Sequence, residues 1–302
     1  MKKAKARKQE EESQILNKES FIARAKVKIY APSKKVWDAL VNSEIIRQYI
    51  FNTNAISDWK EGSSITWKGE WQGKPYEDKG VILRIEPERL LRYSHFSPLS
   101  GLPDMPENYH TITIELSGES GFTQVSLSQD NNLTAQARDH SEKNWEMVLA
   151  GLKRVVESNS LQELFNEYEK AFAALDIKKS AGFFSDTFIS AGPRGAIAQS
   201  KAEFLKLADQ AAEFYKRVGQ TSAKILSLQE TAISDQYSLM KIHWGVTFKK
   251  TKDTMIEFDV SYLVQKIGPE PKIILFIAHE DEEMAMKELG DGACRFKKGS
   301  GK

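Results

Sequence analysis

The sequence predicts an α+β protein of two domains, each a curved antiparallel sheet with helices laid on one face. Three observations carry that reading. The 302 residues suit two domains with cores of their own, at roughly 100 to 200 residues each. The apolar period switches between helical spacing and strict alternation twice along the chain. Most alternating segments are separated by short turn signals, so strands follow strands as meanders. The boundaries are a tail at 1–19, a first domain at 20–157, a second at 160–290 and a tail at 291–302.

At the amino end, Met1-Lys2-Lys3-Ala4-Lys5-Ala6-Arg7-Lys8 runs into Glu10, Glu11 and Glu12, where a secretion signal needs its apolar stretch. The segment reads as a solvated tail, since its basic run is short and lacks the interleaved aromatics of a nucleic-acid arm. A strand follows at 21–29, with Ile22, Val27 and Ile29 among its apolar members. Pro32-Ser33 opens a helix whose Val36, Trp37, Leu40 and Val41 lie three and four apart, and a short helix covers 43–49. Strands occupy 56–129, punctuated by Glu61-Gly62, Gln72-Gly73-Lys74-Pro75, Glu86-Pro87-Glu88 and Gly118-Glu119-Ser120-Gly121. A helix at about 139–157 carries Trp145, Val148, Leu149, Leu152, Val155 and Val156 on one stripe.

Ser158-Asn159-Ser160 is expected to break the helix, and a new one begins with Leu161, Leu164, Phe165, Tyr168, Phe172 and Leu175. A short helix is expected to hold Phe183 and Phe184. After the turn at Gly192-Pro193-Arg194-Gly195, Ser200 caps a helix to about 216, with Glu203 placed for a capping box. Strands near 223–233, 237–249, 254–266 and 272–279 complete the domain.

Composition removes several function classes. The 43 Lys+Arg against 42 Asp+Glu leave a charge near +1 and no global field for nucleic acid or an anionic membrane. A lone cysteine, Cys294, allows no intramolecular disulfide and no cysteine-rich zinc site, which favours a reducing compartment. The longest apolar run, 273–278, is far short of the roughly 20 residues of a membrane helix. The expectation is a soluble, cytoplasmic protein with no nucleic-acid or membrane partner. Histidines at 95, 110, 140, 243 and 279 lack metal-ligand spacing, and His279-Glu280-Asp281-Glu282 lacks the second histidine of a zinc-protease helix. There is no glycine-rich phosphate loop and no nucleophile elbow. Cys294 sits in a tail with nothing to hold a base against it. No metal, cofactor or catalytic residue is assigned, and the chain reads as a binder rather than an enzyme.

The stretch Val27-Lys28-Ile29-Tyr30-Ala31-Pro32-Ser33-Lys34-Lys35-Val36-Trp37-Asp38-Ala39-Leu40 resembles the opening of START-related (SRPBCC) domains of the heat-shock-ATPase-activator-homologue type. Trp59-Lys60-Glu61-Gly62, Gly73-Lys74-Pro75-Tyr76, Glu86-Pro87-Glu88-Arg89-Leu90-Leu91-Arg92-Tyr93 and Asn144-Trp145-Glu146-Met147-Val148-Leu149-Ala150-Gly151-Leu152-Lys153 extend the resemblance through most of 20–157. It implies a helix-grip fold and binding of varied apolar molecules, with catalysis in some members. The second half resembles the SnoaL-like or nuclear-transport-factor-like fold through Leu175-Asp176-Ile177, Phe183-Phe184, Ser185-Asp186-Thr187-Phe188 and Ser200-Lys201-Ala202-Glu203-Phe204. That implies a cone of strands and helices. Catalytic members commonly carry an acidic base where this chain reads Ile189-Ser190-Ala191-Gly192-Pro193, which contains no carboxylate.

The strand at 64–72 sets Ile65, Trp67, Gly69 and Trp71 on one face. In the START-related arrangement that face looks toward the helix carrying Trp145, with Tyr93, His95 and Tyr109 as polar groups, around a cavity of a few hundred Å³. Taken singly, such aromatics are more often core. The segment 97–108 is too long for a tight hairpin, and its Leu99, Leu102 and Met105 could fold over the mouth as a lid or pack among themselves. The resulting function is binding of a small apolar or amphipathic molecule in the first domain, with the second domain as auxiliary pocket or homodimerisation module. Alternatives are a cyclase, dehydratase or hydrolase-like enzyme on a polyketide-like or aromatic substrate, and a co-chaperone of the heat-shock ATPase.

Strand parity sets a register in the second domain. Met240, Ile242, Trp244, Val246 and Phe248 share one parity, and so do Ile256, Phe258, Val260, Tyr262 and Val264. Directly opposed residues lie on one face, so paired numbers must add to an even total. A loop at 250–252 pairs Trp244 with Phe258 and His243 with Asp259; a loop at 251–253 pairs His243 with Ser261. The first is preferred because it also opposes Lys249 to Asp253. The His243–Asp259 pair then lies on the face away from the aromatics, as a surface or interface pair rather than a catalytic dyad.

Overall fold

A computed structural model of the chain describes residues 21–71, 73–119, 121–206, 212–213, 216–217, 219–249, 255–268 and 270–280. Both expected tails and Cys294 lie outside these residues. The chain forms two compact units, divided between Asn159 and Ser160.

In the first unit β1 (Ala23–Ile29) alternates because Ala23 and Ala25 face the core while Arg24 and Lys26 face solvent. Helix α1 (Ser33–Val41) buries Val36, Trp37, Ala39 and Leu40. Helix α2 (Ser43–Tyr49) is capped by Asn42, whose side chain accepts from the Glu44 and Ile45 amides. The meander then runs through β2 (Asn54–Ser57), β3 (Ser64–Trp71), β4 (Lys74–Glu86), β5 (Leu90–His95), β6 (His110–Glu119) and β7 (Phe122–Gln129). These strands form one antiparallel sheet in the order β1-β7-β6-β5-β4-β3-β2. Its inner face packs Ile65, Ile82, Leu91, Ile112, Ile114 and Leu127 against Val148, Leu149, Leu152, Val155 and Val156 of helix α3 (Ala135–Ala173).

Helix α3 does not stop at Ser158-Asn159-Ser160. Serine and asparagine cost only a few tenths of a kcal/mol each in a helix interior. Ser158 and Asn159 are exposed, so neither polar side chain is forced into a core.

The second unit uses the end of α3, helix α4 (Ile177–Gly182) and helix α5 (Lys201–Lys206). Ser200 and Glu203 form the expected capping box: the Glu203 amide donates to Ser200 Oγ (3.2 Å) and the Ser200 amide to Glu203 Oε2 (3.0 Å). The sheet contains β8 (Phe184–Gly192), β9 (Gly195–Ser200), β10 (Gln220–Ser234), β11 (Tyr237–Phe248), β12 (Met255–Gln265) and β13 (Lys272–Ala278), in the order β10-β11-β12-β13-β8-β9. Two details differ from expectation. Phe184 opens strand β8 rather than sitting in a helix, and β13 pairs with β8 in parallel within an otherwise antiparallel sheet. Strand β13 runs alongside the first strand of the unit, which a meander alone does not bring beside it.

The β11–β12 register opposes Trp244 to Phe258 and His243 to Asp259. Asp253, the expected partner of Lys249, lies outside the described residues. Parity places Met240, Ile242, Trp244 and Val246 with Phe258, Val260, Tyr262 and Val264 in one buried cluster beside Leu161, Leu164 and Phe165 of α3.

Candidate functional site

The inner face of the first sheet is mostly filled. Trp67 lies beside Tyr93 at a ring-centroid distance of 5.0 Å and beside His95 at 5.1 Å. Trp145 donates its Nε1–H to Gln129 Oε1 at 2.7 Å, which fixes the indole against the carboxyl end of β7. The void that Trp67, Tyr93 and Trp145 line together with Leu149 and Leu152 is about 30 Å³. That is room for about one or two waters, not the few hundred Å³ expected from the sequence. The large side chains on both walls meet instead of holding the walls apart. Burial raises the Tyr93 phenol well above its ordinary range, so it stays protonated. The side chain of Trp71 lies outside the described residues.

His95 does not line this void. Its Nε2 lies 3.2 Å from Asp78 Oδ2, and the other oxygen of that half-buried carboxylate has no partner among the described residues. Asp78 shares the inner face because it stands directly opposite Trp67 across β3 and β4. Sequence reasoning could not reach Asp78, since the pairing that brings it to His95 runs through a neighbouring strand. His110 opposes His95, and its Nδ1 donates to the Asp130 carbonyl at 2.8 Å. Burial lowers its pKa, which favours the neutral ring.

The segment 97–108 belongs to the other face of the sheet. Tyr109 stacks on Phe96 at 5.2 Å and donates to Asp104 at 2.8 Å, while Asp104 pairs with Lys79. Lys79 and Phe96 oppose one another and have the parity opposite to Asp78 and His95. Tyr109 is therefore drawn away from the inner face. Leu99, Leu102 and Met105 are exposed and contribute nothing to the void.

The larger cavity is in the second unit. It measures about 190 Å³, and nine of its twelve lining residues are aromatic. Helix α3 supplies Tyr168 and Phe172, α4 supplies Ile177 and Ser180, and the sheet supplies Phe184, Phe188, Trp244, Phe258, Val260, Tyr262 and Phe276, with Phe204 from α5. The rings meet edge to face: Phe172 and Trp244 at 5.3 Å and 70°, Phe184 and Phe276 at 6.0 Å and 76°. Trp244 Nε1 donates to Tyr262 Oη at 3.2 Å, so the indole N–H of the wall is satisfied within the wall. No lining residue is charged. The parity argument identified Trp244, Phe258, Val260 and Tyr262 as one face; that the helices stand far enough from that face to leave space is what it missed.

On the opposite face of β11 and β12, His243 Nδ1 lies 2.9 Å from Asp259 and its Nε2 lies 3.0 Å from Glu257. The Glu257 and Asp259 hydrogen bonds raise the histidine pKa; Lys241 and then His243 lower that of Asp259. This pair and the aromatic cavity share no wall. Among the described residues no group of three or more His, Cys, Asp or Glu is placed to hold a metal ion, and no helix is long and apolar enough to cross a membrane.

Comparisons with known proteins agree with the two-unit architecture. The family described as Activator of Hsp90 ATPase homolog 1-like protein matches residues 30–157, and the family described as NTF2-like protein (DUF6841) matches residues 157–281. A Cytophaga hutchinsonii protein solved in solution is 56% identical over 46% of this chain and 94% of its own, with a TM-score of 0.42. The Aha1 dimer from Colwellia psychrerythraea is 20% identical over 45% of this chain and 95% of its own, with a TM-score of 0.37. A Nostoc punctiforme protein of cystatin-like fold is 16% identical over 41% of this chain and 90% of its own, with a TM-score of 0.34. No curated protein matches the chain significantly. Over residues 30–157 the chain belongs to the Activator of Hsp90 ATPase homolog 1-like proteins, and over residues 157–281 to the NTF2-like proteins.

Proposed function

We propose that the chain binds a small, neutral, apolar molecule, and that the site is the aromatic cavity of the second unit rather than the START-like core of the first. The size difference carries this reading: about 190 Å³ against about 30 Å³. An apolar cavity of about 150 Å³ is known to hold benzene, whereas 30 Å³ holds little more than water. The uncharged lining disfavours ions, because a charge placed there would be desolvated without a countercharge. A one-ring or small two-ring compound fits both the volume and the edge-to-face walls.

The catalytic alternative gains a carboxylate partner for His95 in Asp78, but the neighbouring void has no room for a substrate. Calorimetric titration of the full chain with p-xylene tests the binding reading. Saturable binding is expected, lost on Val260→Phe, which fills the cavity from β12, provided that the variant keeps the native far-ultraviolet spectrum. Unchanged binding in that variant sinks the assignment.

A further inference from the structure

We propose that Ser180 is the polar anchor of the second-unit cavity and selects aromatic molecules that carry one hydroxyl or N–H group. This rests on the reading of that cavity as a ligand site. Ser180 is 5% exposed and lines the cavity from α4, and its hydroxyl has no hydrogen-bond partner among the described residues.

A serine inside a helix usually satisfies its hydroxyl on the carbonyl four residues back. Here that carbonyl, on Asp176, accepts from the Ser180 amide at 2.8 Å, and the hydroxyl makes no bond to it. One donor and two acceptor sites are thus left at a buried wall. Leaving a buried hydroxyl unpaired is costly, and a ligand that offers a matching group recovers that cost. Across the cavity, the Trp244 Nε1–H is already committed to Tyr262 Oη, so the indole does not compete for the ligand's polar group. An aromatic body against the ring walls with one polar atom toward α4 satisfies both surfaces. A hydrocarbon satisfies only one.

The test compares p-cresol with p-xylene, which differ by a hydroxyl in place of a methyl, on the full chain and on Ser180→Ala. Alanine keeps the helix, and thermal melting checks that the fold is retained. The ratio of p-cresol to p-xylene affinity should fall about tenfold in Ser180→Ala, through loss of p-cresol binding with p-xylene binding kept. A tenfold change is about 1.4 kcal/mol, the size of one hydrogen bond. Ser180→Cys, with a weaker donor, should fall between the two. A ratio unchanged by Ser180→Ala overturns the anchor while leaving the cavity as a site. Failure of both probes to bind the native chain overturns the cavity reading and the anchor together.

Discussion

Truncating Leu152 to alanine should turn the first unit from a filled core into a binder. Leu152 is fully buried and borders the void of about 30 Å³. Removing three carbons forfeits about 2.4 kcal/mol of transfer free energy at about 0.8 kcal/mol per carbon. Each 40 Å³ left unfilled adds about 1 kcal/mol, at about 24 cal/mol per Å³. The first unit should therefore lose about 3–4 kcal/mol, read from its own urea transition through the methyl signals of Leu91 and Ile114. The new space merges with the existing void and approaches the size that admits benzene. Benzene should then shift first-unit methyl signals in the variant and leave them unmoved in the native chain. A cost under about 1 kcal/mol would mean that the helix closes on the gap, and benzene shifts in the native first unit would show that the core is not filled. Either result refutes the packing argument.

Three other outcomes follow from local geometry. His243 is held above its ordinary pKa by Glu257 first and Asp259 second. Its stabilising contribution is complete below the unfolded value near 6.5 and is lost as pH rises through the folded one; histidine NMR should show a larger drop in Glu257→Gln than in Asp259→Asn, and no drop in either would deny the coupling. A Cβ at Gly80 would lie 1.7 Å from the Ser94 carbonyl oxygen, so Gly80→Ala must part β4 from β5 and should cost more than about 3 kcal/mol in melting experiments; native stability in that variant would contradict the close approach. Ser200→Ala removes the capping box of α5 and should cost about 0.5–2 kcal/mol. Since Phe204 of α5 lines the cavity, p-xylene affinity should fall with it, and an affinity independent of the cap would argue that α5 is not part of the wall.

Much of this architecture is legible because local rules act alone. The even-parity stripes of β11 and β12 left two registers, the expected Lys249–Asp253 opposition chose the one that pairs His243 with Asp259, and the Ser200–Glu203 spacing announced a helix start. Phe183-Phe184 was harder, because two adjacent aromatics have no period, and only the parallel pairing with β13 makes Phe184 a strand residue. The continuity of α3 through Ser158-Asn159-Ser160 is helped by Ser158 and Asn159 reaching solvent, which no propensity records. Cavity size was least legible. Aromatic stripes read the same whether they interdigitate, as Trp67 and Tyr93 do, or stand apart, as around Ser180. The face taken by 97–108 followed from the Lys79–Asp104 pair, a contact between segments that no spacing rule connects.

Methyl-labelled NMR of the full chain titrated with p-xylene asks most directly which unit holds the ligand. Ile177 and Val260 line the larger cavity, while Ile65, Leu149 and Leu152 line the small void. Saturable shifts at Ile177 and Val260, with Ile65, Leu149 and Leu152 unmoved, are the predicted result. Shifts confined to Ile65, Leu149 and Leu152 would return the site to the START-like core and contradict its placement in the second unit.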